Sequence, residues 1–240
     1  MVESKSTDNM TAIETKVLNA NKQLLENGLV LQSFGNASQR IKDNFLIIKP
    51  SGINLKNSNS IEMACVDLIN GSCVGGRKPS SDTPTHIEIY KNFNGVGGIV
   101  HTHSLYATAW AQAAMAIPCL GTTHADYWKG DIPITRDLTK DEINGEYEKE
   151  TGKVIIEKIQ ELNVDPLACP GILVSNHGPF TWGKTVEDAV KHAELLEYIA
   201  RLAWMSISIN PDSKPILKAL LNKHYSRKHG PDAYYGQDAD

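Results

Sequence analysis

A short apolar run that ends in two histidines, residues 98–103 (Gly-Ile-Val-His-Thr-His), constrains the fold of this chain more than any other stretch. The run is typical of a buried strand, in which residues two apart point to the same face with their Cα atoms roughly 6.5–7 Å apart. His101 and His103 can therefore converge on one cation. The alternative is that both rings are core histidines satisfied by ordinary hydrogen bonds.

A third histidine follows another apolar run. Residues 172–175 (Ile-Leu-Val-Ser) are typical of a buried strand, and His177 lies just beyond its end. Three histidines with one open position are the ligand set of a catalytic zinc site, although imidazole also suits other divalent transition metals. Asp82 is a candidate fourth ligand or neighbouring base, and it is equally suited to be the N-cap of a helix that begins near Pro84.

Helical and strand-like segments alternate along the chain. Capping boxes at Thr11, Thr139 and Thr185 precede apolar residues at helical spacing, and they predict helices that end near residues 27, 162 and 209. Short strands are predicted over residues 29–31, 45–48, 63–69, 98–103 and 172–175. With no internal repeat and no interdomain linker, the pattern predicts one α/β or α+β domain.

Length and composition exclude several classes of protein. The 240 residues carry a net charge of −4, so no basic excess suggests nucleic-acid binding. The longest apolar runs fall far short of the ~20 residues that span a bilayer, and the first residues lack the apolar segment of a signal peptide. Four cysteines without C-x-x-C spacing are expected to be buried thiols, which predicts a cytoplasmic protein. We expect a disordered lead-in over residues 1–10, a domain over 11–237 and a tail over 238–240.

Small and hydroxyl-bearing residues in three loops form a candidate anion site. Small residues let backbone N–H groups approach an oxyanion, hydroxyls donate hydrogen bonds, and a lysine adds charge. The candidates are Gly35, Asn36, Lys49, Ser51, Gly52, Ser80 and Ser81. Each loop taken alone is more typical of an ordinary turn, so the indication comes from their combination, and none matches a P-loop.

Candidate acid/base residues lie in a polar loop and in the tail. Asp126 and Tyr127 belong to the loop over residues 121–127, and a Tyr-Tyr pair ends in Tyr235. A tyrosine beside a metal-activated oxygen can shuttle a proton, while a terminal Tyr-Tyr pair can equally be simple packing of the tail. The basic stretch over residues 224–229 is either a solvated helix end or a second contact for an anionic substrate.

Taken together, these motifs resemble the class II aldolase/epimerase family, in order, from about residue 10 to the end of the chain. The matching segments are residues 35–38, 49–52, 78–86, 97–104, 121–127, 142–148, 175–183, 223–230 and 233–237. The His-Thr-His segment marks the whole family. The Thr-His-Ala-Asp-Tyr loop and the Tyr-Tyr-Gly-Gln ending point to its epimerase branch.

The resemblance implies a role for each candidate residue. It implies a three-layer α/β/α fold with a central, largely antiparallel sheet, assembled as a homotetramer. The metal ligands would be Asp82, His101, His103 and His177, holding a divalent ion, foremost Zn²⁺, with Mn²⁺ or Co²⁺ as alternatives. The loop residues above would hold a substrate phosphate. Asp126 would be one acid/base, and Tyr235, reaching in from a neighbouring subunit, would be the other.

The activity implied is inversion of carbon 4 of L-ribulose 5-phosphate to give D-xylulose 5-phosphate, by retro-aldol and aldol steps. One alternative is a class II aldolase that cleaves a ketose phosphate and releases the fragments. Another is a non-catalytic association module of the same fold. Retention of Asp126 and Tyr235 favours the epimerase over the aldolase, and retention of the histidines disfavours the module.

Overall fold

The fold is built around one antiparallel sheet. The computed structural model describes residues 2–41, 44–55, 62–231 and 233–234. Its strands lie side by side in the order β4-β3-β2-β1-β5-β7-β6. They are β1 (Asn36–Ile41), β2 (Phe45–Ile48), β3 (Ala64–Asp67), β4 (Cys73–Gly75), β5 (Gly98–His101), β6 (Gly171–Val174) and β7 (Gly178–Gly183). The strand with the paired histidines, β5, therefore lies inside the sheet, between β1 and β7.

Helices cover both faces of the sheet. They are α1 (Val2–Glu26), α2 (Thr83–Asn92), α3 (Leu105–Gln112), α4 (Thr122–Ala125), α5 (Lys140–Asn144), α6 (Tyr147–Leu162), α7 (Val186–Ile209) and α8 (Lys218–His229). On one face, α1 and the first half of α7 pack on Ala37 and Val100. On the other face, α2, α3 and α6 enclose a larger apolar core around Ile99. The three-layer α/β/α class with a largely antiparallel sheet is confirmed.

The beginning of β5 packs closely against the start of α7, and this packing requires a residue without a side chain. A Cβ atom on Gly98 would lie only 2.3 Å from the carbonyl of Thr185, where α7 begins. Glycine at this position lets the strand and the long helix approach closely. That contact fixes where β5 emerges from the core, and with it the position of His101.

Residues 29–31, predicted as a strand, instead form bends after α1. Gly28 takes the left-handed conformation, with φ of 69°, and Leu29 turns back so that its N–H donates to the carbonyl of Leu24. Leu29 is buried against the helix end, as in the hydrophobic contact that often accompanies a glycine C-cap. The apolar run therefore closes a helix, and the first strand begins seven residues later at Asn36.

One further expectation was wrong, and another stays a prediction. Disorder of the lead-in over residues 1–10 stays a prediction, although α1 begins at Val2 and residues 1–27 contain neither proline nor glycine to stop a helix. The single helix predicted over residues 139–162 is divided into α5 and α6, which Gly145 separates. The boundaries of the domain itself stay a prediction. Among the described residues, no helix offers an apolar stretch long enough to cross a membrane.

Loss of the capping box of α7 should destabilise the fold. Thr185 Oγ1 accepts a hydrogen bond from the N–H of Asp188, whose carboxylate accepts one from the N–H of Thr185, both at 3.1 Å. We expect Thr185→Ala to lower the free energy of unfolding by about 1 kcal/mol, measured by chemical denaturation. Thr139→Ala is the matched control and should cost less, because α5 buries no side chain. Equal losses would contradict the account.

Candidate metal centre and active site

The paired histidines lie where β5 leaves the sheet. His101 is the last residue of the strand and is buried, whereas His103 follows in an irregular segment and is exposed. Their Nε2 atoms are 3.0 Å apart. The two rings converge as the spacing predicted, although His103 lies beyond the strand rather than on it.

His177 completes the cluster from a neighbouring turn. It lies between β6 and β7, directly after Asn176, which takes the left-handed conformation with φ of 60°. Among the described residues, His101, His103 and His177 are a group whose ligand atoms all lie within 4.8 Å of one another. The sheet thus brings together three histidines from two separate segments.

The hydrogen bonds and charge of the cluster fit a divalent cation. His101 Nδ1 lies 3.0 Å from the carbonyl oxygen of Pro179, which can only accept, so Nδ1 carries the proton and Nε2 presents a lone pair. Burial lowers the pKa of His101, and the adjacent His177 and His103 lower it further, so the ring is neutral. The separation of 3.0 Å between the two Nε2 atoms is close to the about 3.3 Å expected of two nitrogens on a tetrahedral zinc ion.

Asp82 lies beside this cluster. It occupies the N-cap position of α2, yet its side chain makes no capping hydrogen bond. Instead its carboxylate accepts a hydrogen bond of 2.6 Å from Asn36 Nδ2. Burial lowers the pKa of His103 and of His177, and the nearby Asp82 charge opposes that shift at both. The carboxylate therefore bonds Asn36 and does not cap the helix, and Asp82 lies near the histidines but outside the group whose ligand atoms are within 4.8 Å of one another.

The loops of the candidate anion site come together next to Asp82. Pro50 and Pro79 form an isolated β-bridge that pairs the loop after β2 with the loop before α2. Across it, the N–H of Ser80 donates to the carbonyl of Lys49 at 3.1 Å. Asn36 Nδ2 lies 3.1 Å from Ser80 Oγ, which links both loops to β1.

Charge and conformation in these loops suit an anion. Lys49 is buried, its Nζ donates to the carbonyl of Ser33 at 2.8 Å, and burial lowers its pKa against the opposing charge of Asp82. Ser51, Gly52 and Ser81 are exposed. Gly35 has φ of 73°, and a Cβ there would lie 2.8 Å from the carbonyl oxygen of His101. The loop before β1 therefore rests directly on the histidine strand.

Asp126 belongs to a second cluster. It is buried at the end of α4, where its carboxylate is bound by Arg227 at 3.1 Å and by His224 at 3.0 Å, both from α8. His229 Nε2 lies 2.8 Å from the Asp126 carbonyl oxygen. Two members of the basic stretch over residues 224–229, His224 and Arg227, therefore bind this carboxylate.

The two clusters lie at different places along the same strand. Trp128 and Lys129 donate to the carbonyls of Gly171 and Ala168, at the beginning of β6, whereas His177 follows the end of that strand. Four strand residues span roughly 13 Å. No hydrogen bond or ion pair described for Asp126 joins it to His101, His103 or His177. Tyr235 lies outside the described residues. Its neighbour Tyr234 is exposed, and the backbone N–H of Tyr234 donates to the carbonyl of Arg227.

Three aromatic residues of the site had no role in the sequence prediction. Phe180 of β7 stacks on His101 with ring centroids 4.2 Å apart, and Phe34 stacks on His103 at 5.8 Å. The hydroxyl of Tyr147, at the start of α6, is 3.5 Å from His177 Nδ1. These contacts join segments that are distant in sequence, so no local spacing pattern could reveal them.

Comparison with known proteins places these features in one family. A model described as "Class II Aldolase and Adducin N-terminal domain" matches residues 15–204. L-ribulose-5-phosphate 4-epimerase UlaF of Salmonella paratyphi C (strain RKS4594) is 51% identical over 229 residues, which cover 95% of this chain and 100% of the relative. The protein of the same name from Salmonella typhi is 52% identical over 230 residues, with the same coverage.

Solved structures share the fold at lower identity. L-fuculose 1-phosphate aldolase superposes with a TM-score of 0.75 at 21% identity, covering 90% of this chain and 95% of that chain. YgbL from Klebsiella pneumoniae superposes with a TM-score of 0.69 at 24% identity, covering 89% and 97%. By its match to the family model and its identity with full-length relatives, this chain belongs to the class II aldolase family.

Proposed function

We propose that this protein is an L-ribulose-5-phosphate 4-epimerase, which interconverts L-ribulose 5-phosphate and D-xylulose 5-phosphate by inverting carbon 4. Identity of 51% along the whole length of an epimerase of that name carries the proposal. The converging histidines and the neighbouring loops supply what such a reaction needs, which is a cation site beside an anion site.

The three imidazoles, with Asp82 at their side, would hold a divalent ion, and Zn²⁺ suits this donor set best. When bound, the ion supplies Lewis-acid polarisation of the substrate's C2 carbonyl. The protein's own contribution is to keep the three rings neutral and aimed at one point. Burial lowers the pKa of His101 and so keeps its ring neutral, while the hydrogen bond to the Pro179 carbonyl orients the ring.

Inversion at carbon 4 requires breaking a carbon–carbon bond, because the C4–H proton is not acidic. A base removes the C4 hydroxyl proton, the C3–C4 electron pair passes into the C2–C3 enediolate, and glycolaldehyde phosphate is formed. The aldehyde turns over, the enediolate carbon adds to its other face, and an acid returns the proton to the C4 oxygen. Asp126 and Tyr235 are the proposed acid/base pair, one on each side.

The phosphate loops must hold the aldehyde fragment while it turns. Lys49, Ser51, Gly52, Ser80, Ser81, Gly35 and Asn36 are the residues proposed for this task. The bridge between Pro50 and Pro79 fixes two of the loops against each other, and exposed hydroxyls of Ser51 and Ser81 are available to a phosphate. Retention of the fragment is what distinguishes an epimerase from an aldolase on the same fold.

We infer further that the active site is shared between subunits of a homotetramer. Within one chain Asp126 lies toward the opposite end of β6 from His177. A neighbouring subunit would therefore have to supply the acid/base cluster, by which we mean Asp126 with its partners Arg227 and His224. Exposed apolar side chains at the ends of α7 and α8, among them Trp204, Ile209 and Leu217, support association. All four cysteines are free thiols, which fits the proposed cytoplasmic location, although Cys73 is exposed and not buried as expected.

Tyr235→Phe should slow epimerisation while leaving bound metal unchanged. Removal of the phenolic proton donor should lower kcat by about 10²-fold or more, with little effect on KM, because general acid/base groups act in the transition state. Tyr234→Phe is the matched control, because it removes the adjacent exposed hydroxyl. An unaffected rate in Tyr235→Phe would mean that the tail only packs against its neighbour.

A coupled assay tests the proposed function. Metal-loaded protein receives L-ribulose 5-phosphate, and the formation of D-xylulose 5-phosphate is followed with and without a chelator. Chelator-sensitive turnover without free aldehyde is the expected result. Release of glycolaldehyde phosphate in place of the epimer would indicate an aldolase. A protein that stays metal-free after expression in metal-supplemented medium and turns over no ketose phosphate would favour the association module.

A further inference from the structure

A short segment over residues 133–137 lies along β6, the last strand of the sheet, and ends beside the turn between β6 and β7. Ile134 forms an isolated parallel β-bridge with Leu173 of β6. The N–H of Leu173 donates to the carbonyl of Pro133, and the N–H of Thr135 donates to the carbonyl of Leu173, both at 2.9 Å. We call residues 133–137 the edge segment. Its backbone follows β6 to the end of that strand.

The turn between β6 and β7 carries His177 at its end. The N–H of His177 donates to the carbonyl of Val174 at 3.1 Å, which closes a β-turn around Ser175 and Asn176. Asn176 has φ of 60°, a left-handed conformation that asparagine adopts more readily than most residues but that still costs free energy. The position of His177 therefore depends on the contacts that hold this turn in shape.

Asp137, the last residue of the edge segment, binds both central residues of the turn. Its Oδ1 accepts one hydrogen bond from the hydroxyl of Ser175 and another, of 3.0 Å, from Asn176 Nδ2. Two residues earlier, Thr135 Oγ1 accepts a hydrogen bond of 3.1 Å from the N–H of Ser175. Asp137 is exposed, but Ser175 is buried, and hydrogen bonds to a carboxylate are stronger than those between neutral groups. The edge segment therefore holds the turn through two of its side chains.

Arg136 anchors the edge segment to two helices. Its guanidinium binds Glu142 of α5 at 2.8 Å and Glu157 of α6 at 2.9 Å. The same guanidinium donates to the carbonyl oxygen of Asp137 at 3.0 Å. A single exposed ion pair stabilises little, whereas several charges around one arginine form a network that keeps its geometry. Asp137 is therefore held between β6 and the two helices, with its carboxylate on the turn.

We propose that Asp137 is a positioning residue of the metal centre, which holds Ser175 and Asn176 so that the turn presents His177 to the other two histidines. Asp137 acts through these neighbours and is not a member of the candidate ligand group. The inference rests on the metal centre of the proposed function, and it adds a residue to which neither the family resemblance nor the comparisons assigned a role.

Cobalt substitution tests the proposal without reference to turnover. The apo-protein is titrated with Co²⁺, and the affinity and the visible absorption band are measured for the wild type and each variant. We expect Asp137→Ala to weaken Co²⁺ binding by about 10-fold and to alter the band, as loss of an outer partner of a metal site does. Asp137→Asn keeps an oxygen that can accept the same hydrogen bonds, so it should restore part of both. Asp141→Ala, which removes an exposed carboxylate from the first turn of α5, is the matched control and should change neither.

A second variant removes the same hydrogen bond from the other side. Ser175→Ala should also weaken Co²⁺ binding, and the double variant should lose less affinity than the sum of the two single losses, because both changes break one contact. A folded Asp137→Ala protein with the wild-type band and affinity would overturn the proposal. If Asp137→Ala does not fold, an unchanged band in Ser175→Ala overturns it instead. A wild-type protein that binds no Co²⁺ would contradict the metal centre itself, so the two failures are distinguishable.

Discussion

Replacing His103 with alanine should remove the metal and the activity together. One of three imidazoles is lost, and the remaining pair from His101 and His177 leaves the ion underligated. We expect metal affinity to fall and kcat/KM to drop by at least about 10²-fold, because both metal retention and Lewis-acid chemistry depend on the same ring. Metal content by atomic spectroscopy and turnover in the coupled assay measure the two effects.

The variant should fold normally, because His103 is exposed and its ring lies against Phe34, which is itself exposed. His192→Gln is a matched control, since that ring bonds the carbonyl of Trp182 away from the cluster. It should keep its metal. Unchanged metal content in His103→Ala would remove this residue from the ligand set.

Asp126→Asn should produce an equally large loss of activity with full metal content. The amide keeps the size of the side chain but can neither accept a proton nor hold the negative charge that Arg227 and His224 surround. We expect kcat to fall by about 10²- to 10⁴-fold, the range for loss of a general acid/base. Steady-state kinetics on the metal-loaded variant, with metal analysis alongside, are the measurements.

Loss of the ion pair with Arg227 could also disturb α8, so circular dichroism and thermal unfolding accompany the kinetics. Asp141→Asn, at an exposed position in the first turn of α5, controls for a simple change of charge. A folded Asp126→Asn protein with wild-type kcat would show that the carboxylate only anchors α8.

Local patterns were sufficient to predict the convergence of three histidines and most elements of the fold. Two histidines after a strand-like run, and a third after another, predicted the convergence that His101, His103 and His177 show. The capping boxes at Thr139 and Thr185 are present with both hydrogen bonds. The pairing of His101 with His103 and the two capping boxes depend on residues close together in sequence, where side-chain periodicity and hydrogen bonds at helix ends decide the structure.

Features that depend on distant segments were not predictable. Residues 178–183 form the buried strand β7, yet their Gly-Pro-Phe-Thr-Trp-Gly sequence has no alternation and includes a proline. Asp126 was expected to be an acid/base residue, and its hydrogen bonds with Arg227 and His224 of α8, about a hundred residues later, are tertiary contacts. The hydrogen bond between His86 Nδ1 and Ser38 Oγ is a tertiary contact as well, because only the packing of α2 on β1 brings the two residues together.

The central claim is that one active site takes its metal ligands from one subunit and its acid/base cluster from the next. Mixing His103→Ala and Asp126→Asn subunits, after joint unfolding and refolding with metal, tests it most directly. Each variant alone should be nearly inactive. Random assembly should restore about a quarter of wild-type turnover, since one site in four then combines an intact histidine cluster with an intact Asp126 from its neighbour. Mixtures no more active than their parents would place both clusters in the same subunit and contradict the account.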